Sequence, residues 1–220
     1  NISMHKYGEL RKYTNIPSNF NDGIPDSTQK KLIHGYYACV SYIDNEIGRL
    51  VKHLKDLEIY DNSIIVLWGD HGWQLGEHNL WAKHCNYQTS LKVPLLLKYP
   101  QQKNQKRINT VVELLDIYPT LCDLSNIGKP KHLQGKSLLS INDLDPKNIN
   151  GYSKYHSGET VTSIDKSYTE WRNKENLMKA NMMYDLVNDP NENTNISKNK
   201  ENSSSIIKFQ YLLDSVRTID

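Results

Sequence analysis

Between Thr28 and Leu57 the apolar positions Tyr36, Val40, Ile43, Ile47, Leu50, Leu54 and Leu57 recur in alternating steps of four and three. That spacing keeps one face of a 3.6-residue helix apolar, so it predicts a long amphipathic helix buried on one side. Asp26 or Ser27 is its expected N-cap, since a short polar side chain there can accept an orphan amide of the first turn. Asp61-Asn62 marks a turn, and the pattern then changes. Residues 63–68 (Ser-Ile-Ile-Val-Leu-Trp) form a short, continuously apolar, β-rich run. Such a run suits an interior strand covered on both faces of an α/β sheet. Residues 93–99 repeat the signal. A polar loop over 101–109 leads to a helix over 110–125, with Val111, Leu114, Leu115, Tyr118, Leu121, Cys122 and Leu124 on one face. Pro119 is expected to bend it or split it in two. The order helix, strand, loop, strand, helix predicts an α/β layered core.

The pattern shifts again after Asn126. Residues 128–150 read as loop, and 152–155, 167–172 and 182–187 as short strands of an antiparallel sheet. A turn cluster over 188–193 and a polar Asn/Lys/Ser connector precede a closing helix over 206–216. Its expected apolar side carries Ile207, Tyr211, Leu212 and Val216. Residues 1–28 are irregular and polar, with turn signals at Asn21-Asp22-Gly23 and Ile24-Pro25-Asp26. The expected organisation is thus a core over 1–125 and a smaller antiparallel β subdomain with a closing helix over 126–220.

Charge narrows the functions. With 27 Lys+Arg against 25 Asp+Glu the net charge is +2, so bulk charge predicts no nucleic-acid or anionic-membrane footprint. No apolar run reaches the ~20 residues of a membrane-spanning helix. The three cysteines, Cys39, Cys85 and Cys122, are widely spaced, with no CxxC pair, so neither a disulfide framework nor a zinc ribbon is expected. Cys39 and Cys122 fall in apolar helical patterns and are expected in the core; the surroundings of Cys85 stay open.

Chemistry concentrates in residues 69–84, which begin at the C-terminal end of the first apolar strand. In open α/β sheets this edge is where ligands bind, because its loops turn functional groups towards one crevice. Asp70 offers a hard carboxylate oxygen and His71 an imidazole, and together they can bind a divalent cation from adjacent positions. Lys83 offers a compact positive charge suited to an oxyanion. Trp73 and Trp81 can wall a pocket from water or fill a core. Glu77, His78 and His84 complete the ionisable set, and Gly72 and Gly76 allow tight backbone paths. Taken one residue at a time these are turn and surface chemistry; jointly they leave a metal-and-anion site equally open.

At these residues the sequence resembles the sulfatase family of the alkaline-phosphatase-like superfamily, in its iduronate-2-sulfatase and choline-sulfatase-like branch. Tyr36-Tyr37-Ala38-Cys39-Val40-Ser41-Tyr42-Ile43-Asp44 is similar to that branch's helix before the site. Asp70-His71-Gly72-Trp73, Leu75-Gly76-Glu77-His78 and Trp81-Ala82-Lys83 resemble its metal-and-sulfate loop, and Val93-Pro94-Leu95 the following strand. Asp116-Ile117-Tyr118-Pro119-Thr120-Leu121 resembles a later helix. Tyr168-Thr169-Glu170-Trp171-Arg172 and the run Tyr184 to Asn193 resemble the C-terminal sheet and turn. The resemblance implies an α/β fold: the C-terminal part of a mixed-sheet alkaline-phosphatase-like core, a smaller antiparallel subdomain and a terminal helix. It implies sulfate-ester hydrolysis on a sulfated sugar or small sulfate ester, using Ca²⁺ and a formylglycine made from Cys or Ser. By position Asp70 and His71 are then calcium ligands, and Lys83 is the catalytic sulfate contact. Trp73, Glu77 and His78 fall in the substrate-lining segment, where loop support serves Glu77 and His78 equally well. The branch implies a periplasmic, secreted or lysosomal setting.

One departure is large. None of the cysteines or serines is followed by Pro at +2 and Arg at +4, as the family's nucleophile motif requires, and its Asp-Asp metal pair is absent. Asp70 and His71 cannot alone supply the six to eight ligands calcium takes. The expectation is a C-terminal portion starting at Asn1, inactive without an N-terminal sulfatase portion as partner. The alternatives are a phosphodiesterase or phosphonate hydrolase of the same superfamily, and a non-catalytic sulfate-binding or interaction module.

Overall fold

A computed structural model describes residues 10–19, 22–100, 102, 107–143, 145–146 and 149–217. The expected turn at Asn21, residues 1–9 and most of the 101–106 loop lie outside them. The chain forms two compact units, one from residues 3–85 and 92–104, the other from 86–91 and 105–220. Residues 107–125, which the sequence pattern placed with the first part, belong to the second unit.

In the first unit α1 spans Asp26–Asp56. Its N-cap lies one residue before the earlier of the two expected caps. Pro25 occupies the N-cap and no side chain caps the helix; the amides of Thr28 and Gln29 donate to the Pro25 carbonyl. A proline there presets the extended backbone that feeds the first turn. At the other end Glu58 adopts φ 59°, and the amides of Ile59 and Tyr60 close onto the Leu54 carbonyl. β1 (Ile65–Trp68) then pairs antiparallel with β4 (Leu95–Lys98), Ile65 opposite Lys98 and Trp68 opposite Leu95. The Lys98 ammonium donates to the carbonyls of Asp61 and Ser63 and lies 4.6 Å from the Tyr60 ring centroid, tying the turn to the sheet.

Two burial expectations fail in this unit. The α1 stripe is not buried: Val40, Ile43 and Leu50 are 49%, 53% and 61% exposed, and Tyr36 and Leu57 are exposed as well. Nor is β1 covered on both faces, because Leu67, Trp68 and, on β4, Leu96 are exposed. Cys39, expected in the core, lies on the same open helix. The periodicity correctly marks an apolar face, but nothing among the described residues covers it. Only the first turns of α1 find a core, where Leu32 and Ile33 pack against Leu10, Ile16, Ile24 and Trp81.

The second unit closes on itself. A 3₁₀ turn (Leu114–Asp116) carries a capping box between Glu113 and Asp116 and leads into α3 (Ile117–Leu124). Pro119 neither bends nor splits a longer helix. It stands buried in the first turn of α3, where a missing N–H costs no helical hydrogen bond. Four strands, β5 (Gly151–Tyr155), β6 (Gly158–Thr162), β7 (Lys166–Arg172) and β8 (Met178–Asp185), form an antiparallel sheet in sequential order. Against it packs α4 (Ser203–Arg217), through Phe209 and Leu213 rather than through the expected Ile207 and Tyr211, which are exposed. The helix is turned so that Ile206, Phe209 and Leu213, spaced three and four, meet Val161, Tyr168 and Met183. The end of α4 is stapled by charge. The Arg217 guanidinium binds both Glu159 and Glu170, and Arg172 adds a second contact to Glu170, which is fully buried. Burial opposes ionisation of Glu170, but the Arg172 and Arg217 hydrogen bonds outweigh it and hold its pKa below the usual glutamate value.

Strand β6 had no sequence signal. Its Gly-Glu-Thr-Val-Thr run carries one apolar residue, yet its first four residues are buried. Hydrogen bonds replace apolar packing there. The hydroxyls of Thr160 and Thr169 bond across the sheet at 2.8 Å, and Asn86 donates to Thr160 and to the Gly158 carbonyl.

Candidate active site

The first unit holds every residue expected in the site. β1 delivers the chain to Gly69, whose amide donates to the Pro94 carbonyl at 3.2 Å. A Cβ at Gly69 would stand 3.3 Å from Val93 Cβ, so the small residue permits the close approach of the loop to the start of β4. Immediately after it, Asp70 folds its carboxylate back onto the amide of His71 (3.1 Å) while its side chain stays 85% exposed.

The His71 ring is oriented at both nitrogens. Nδ1 lies 2.8 Å from the Gly72 carbonyl oxygen, which can only accept, so Nδ1 carries the proton. In its neutral form the ring would present the Nε2 lone pair, and this atom sits 3.5 Å from Asp70 Oδ2. Two electron-rich atoms held that close call for a proton or a cation between them. Asp70 and His71 therefore fit a cation site, as two of its donors. Among the described residues no group of three or more His, Cys, Asp or Glu side chains assembles to complete one.

Trp73 gathers the remaining groups. Its ring stacks on His71 (centroids 6.2 Å, 28°) and on Tyr36 of α1 (6.3 Å, 26°), and the Lys83 ammonium lies 5.8 Å from its centroid. Asp70, His71, Trp73 and Lys83 thus lie in one constellation. Tyr36 was missed as a member because its place on the α1 stripe marked it as ordinary core. The two adjacent tyrosines, Tyr36 and Tyr37, set edge to face at 6.3 Å, are the signal that could have singled it out.

A short hairpin carries Lys83 to this place. β2 (Gln74–Leu75) pairs with β3 (Trp81–Ala82), Gln74 opposite Ala82 and Leu75 opposite Trp81. The connection is unusually bent, with Gly76, His78, Asn79 and Ala82 all at positive φ. A left-handed backbone strains any residue with a Cβ, and such strain persists only where surrounding structure imposes it. Here Trp81 and Ala82 are buried, and Gln74, also buried, donates to the Cys85 thiol at 3.2 Å. Glu77 turns inward on its own loop, one carboxylate oxygen accepting the Leu75 amide at 2.5 Å. His78 sits at φ 54° on the same turn.

The sulfatase family profile matches residues 3–127, and the C-terminal profile of N-sulphoglucosamine sulphohydrolase matches residues 76–218. A sulfatase of Formosa agariphila is 34% identical over 84% of this chain and 36% of its own length. The iduronate 2-sulfatase of Mus musculus is 28% identical over 67% of the chain and 39% of its length. A sulfatase structure from Bacteroides thetaiotaomicron superposes with a TM-score of 0.76 at 25% identity, covering 89% of this chain and 45% of that one. A structure described in complex with its substrate D-glucosamine-2-N,6-O-disulfate gives 0.67 at 25% identity, over 81% and 39%. The phosphonate monoester hydrolase of Silicibacter pomeroyi, at 20% identity over 90% of this chain and 43% of that one, gives 0.77 and shares the fold alone. The chain spans less than half the length of each of these relatives. The fold is the latter part of an alkaline-phosphatase-like core with its antiparallel sheet and terminal helix, and the chain belongs to the sulfatase family.

Proposed function

We propose that the chain supplies one half of a sulfatase active site and hydrolyses sulfate esters of sugars once the rest of the core is present. The observation that carries this reading is the constellation around Trp73: an imidazole and a carboxylate 3.5 Å apart, with an ammonium over the same indole. Asp70 and His71 would hold a Ca²⁺ together with oxygen ligands from elsewhere in the core. When bound, the cation would neutralise negative charge on the sulfate oxygens. Lys83 neutralises the oxygens that gain charge as the ester bond breaks, and the Trp73 ring limits where its ammonium can go. Trp73, with its stacked rings, presents an apolar wall against which a sugar face can lie, and Glu77 and His78 shape the turn that carries Lys83. The nucleophile, a formylglycine, belongs to the part of the core outside this sequence.

The open faces support the same reading. An apolar stripe along α1 and the outward leucines of β1 and β4 lie on the unit that carries the site. Surfaces of this kind mark interaction sites, and the occupant we assign is the sulfatase core that the relatives carry beyond the matched share.

The test is to complete the core, as one polypeptide or as a co-expressed N-terminal portion, and assay an aryl sulfate beside an aryl phosphonate. Preference for the sulfate ester, and a loss of about 10²- to 10³-fold in kcat/KM on Lys83→Ala, are expected. Unchanged turnover removes Lys83 from the mechanism, preference for the phosphonate moves the protein to the hydrolase reading, and no turnover favours a binding module.

A further inference from the structure

Glu192 lies in the turn that follows β8 and is 2% exposed. One of its carboxyl oxygens accepts the amide of Gln88, the first residue of α2 (Gln88–Leu91), at 2.6 Å. The other oxygen is buried without a hydrogen-bond partner. So is the hydroxyl of Ser167 on β7, although that hydroxyl acts on the same carboxyl. The Ser167 hydroxyl can donate to either form of the carboxyl and so does not choose between them; the partnerless buried oxygen does, because once ionised it carries charge that neither water nor a donor satisfies.

The surroundings favour that proton. From the 86–91 segment the carboxyl meets the Gln88 amide, and Tyr87 stands against Tyr184 of β8 at 5.8 Å. From β7 it meets Ser167, and within its own turn the like charge of Asp189. Lys166, next to Ser167, is paired with Asp165 at 3.1 Å. Burial, Tyr87, Glu192 and Asp189 all push the Tyr184 hydroxyl upward, so it stays neutral. Among the described residues the influences on Glu192 are burial, Gln88, Ser167 and Asp189, and none is a cation. An ionised carboxylate buried without a cation is costly, whereas its acid is not.

We propose that Glu192 is a proton-operated latch: protonated, it stays buried and fastens the 86–91 segment to the sheet through the Gln88 amide, and ionised, it draws water to its unpaired oxygen and loosens that segment. Burial is the main cause and pushes its pKa from 4.5 to about 7, against the lowering effects of Gln88 and Ser167 and with Asp189 adding to the rise. The folded state then holds the proton more tightly than the unfolded chain. The latch is therefore fully engaged below pH 4.5 and is lost as the pH rises through about 7. This device is independent of the sulfate chemistry, since none of its groups belongs to the constellation around Trp73.

The test is amide hydrogen exchange of residues 88–91 in the 220-residue chain at pH 5.5 and 8, corrected for intrinsic rates, in the native protein and in Glu192→Gln. The glutamine keeps an acceptor for Gln88 and a donor for Ser167 but cannot ionise. Protection in the native chain should fall about tenfold or more between the two pH values, and in the variant should stay level. Equal pH responses in the two proteins, or none in either, overturn the proposal. A ¹³C NMR titration of the Glu192 carboxyl in the native chain decides the matter should the variant not fold. A midpoint near 7 supports the latch, and a midpoint near 4.5 ends it.

Discussion

The two units solve the same problem in opposite ways. The second seals its own core: Tyr168, Met183 and Leu213 have no measurable exposure, and the fully buried Glu170 is held by two arginines. The first displays its apolar pattern outwards, with Ile43 and Leu50 of α1 more than half exposed. A helix owes most of its stability in a protein to packing of its apolar face, so α1 rests on its first turns and on the Tyr36–Trp73 stack. The candidate site stands on the open unit. Under the proposed function a covering part of the core would complete it.

If that contrast is right, changes in the closed unit should be expensive and changes on the open face cheap. The largest effect is expected from Arg217→Ala, which strips Glu159 of its guanidinium and leaves Glu170 with Arg172 alone. Urea unfolding should show a loss of about 3 kcal/mol, on the scale of breaking a buried ion pair. A loss below about 0.5 kcal/mol would mean that α4 is not stapled by charge. Gly158→Ala should follow, at about 2 kcal/mol, because its Cβ would stand 2.5 Å from Trp171 Nε1 and 2.7 Å from Asn86 Oδ1. A fully folded alanine variant of unchanged Tm would show that this corner of the sheet is loose. The smallest effect belongs to Leu50→Gln on α1, expected within about 0.5 kcal/mol in this chain by itself. In the completed core the same change should cost about 1–2 kcal/mol, since a leucine would then be withdrawn from water. Equal costs in both settings would break the comparison.

The closed unit also carries two buried glutamates that respond to pH in opposite senses. Glu170, held below its ordinary range by arginines despite burial, contributes stability that is lost as the pH falls through that range. Glu192, raised by burial without a cation, contributes stability lost as the pH rises. Burial is common to both; the presence of a guanidinium decides the sign.

Much of this was legible before any coordinates, and the failures share a cause. The α1 periodicity located the helix to within two residues at its start, and the strand-end run Asp70 to Lys83 marked the loop that gathers the candidate site. Both depend on local spacing alone. What spacing does not carry is the identity of the neighbour. The stripe on α1 predicts an apolar face but not a partner, so burial of Val40 and Leu50 failed although the helix held. On α4 the choice of Phe209 and Leu213 over Ile207 and Tyr211 came from the sheet it packs on. β6 stayed hidden because threonines and Asn86 satisfy one another there, an arrangement that leaves no hydrophobic pattern.

The sequence by itself determined α1, β1, β4 and the later strands of the antiparallel sheet, the position of the ionisable loop and the family to which the chain belongs, because these follow from residue types at fixed separations along one chain. Tertiary structure decided the rest. It set the His71 tautomer through the Gly72 carbonyl, drew Tyr36 to Trp73, joined Glu192 to Gln88 across 104 positions, and left one apolar face open. Each depends on groups distant in sequence or on the direction of a single hydrogen bond, and the free energy of burying a charge or an apolar face is fixed by the neighbours that folding brings to it.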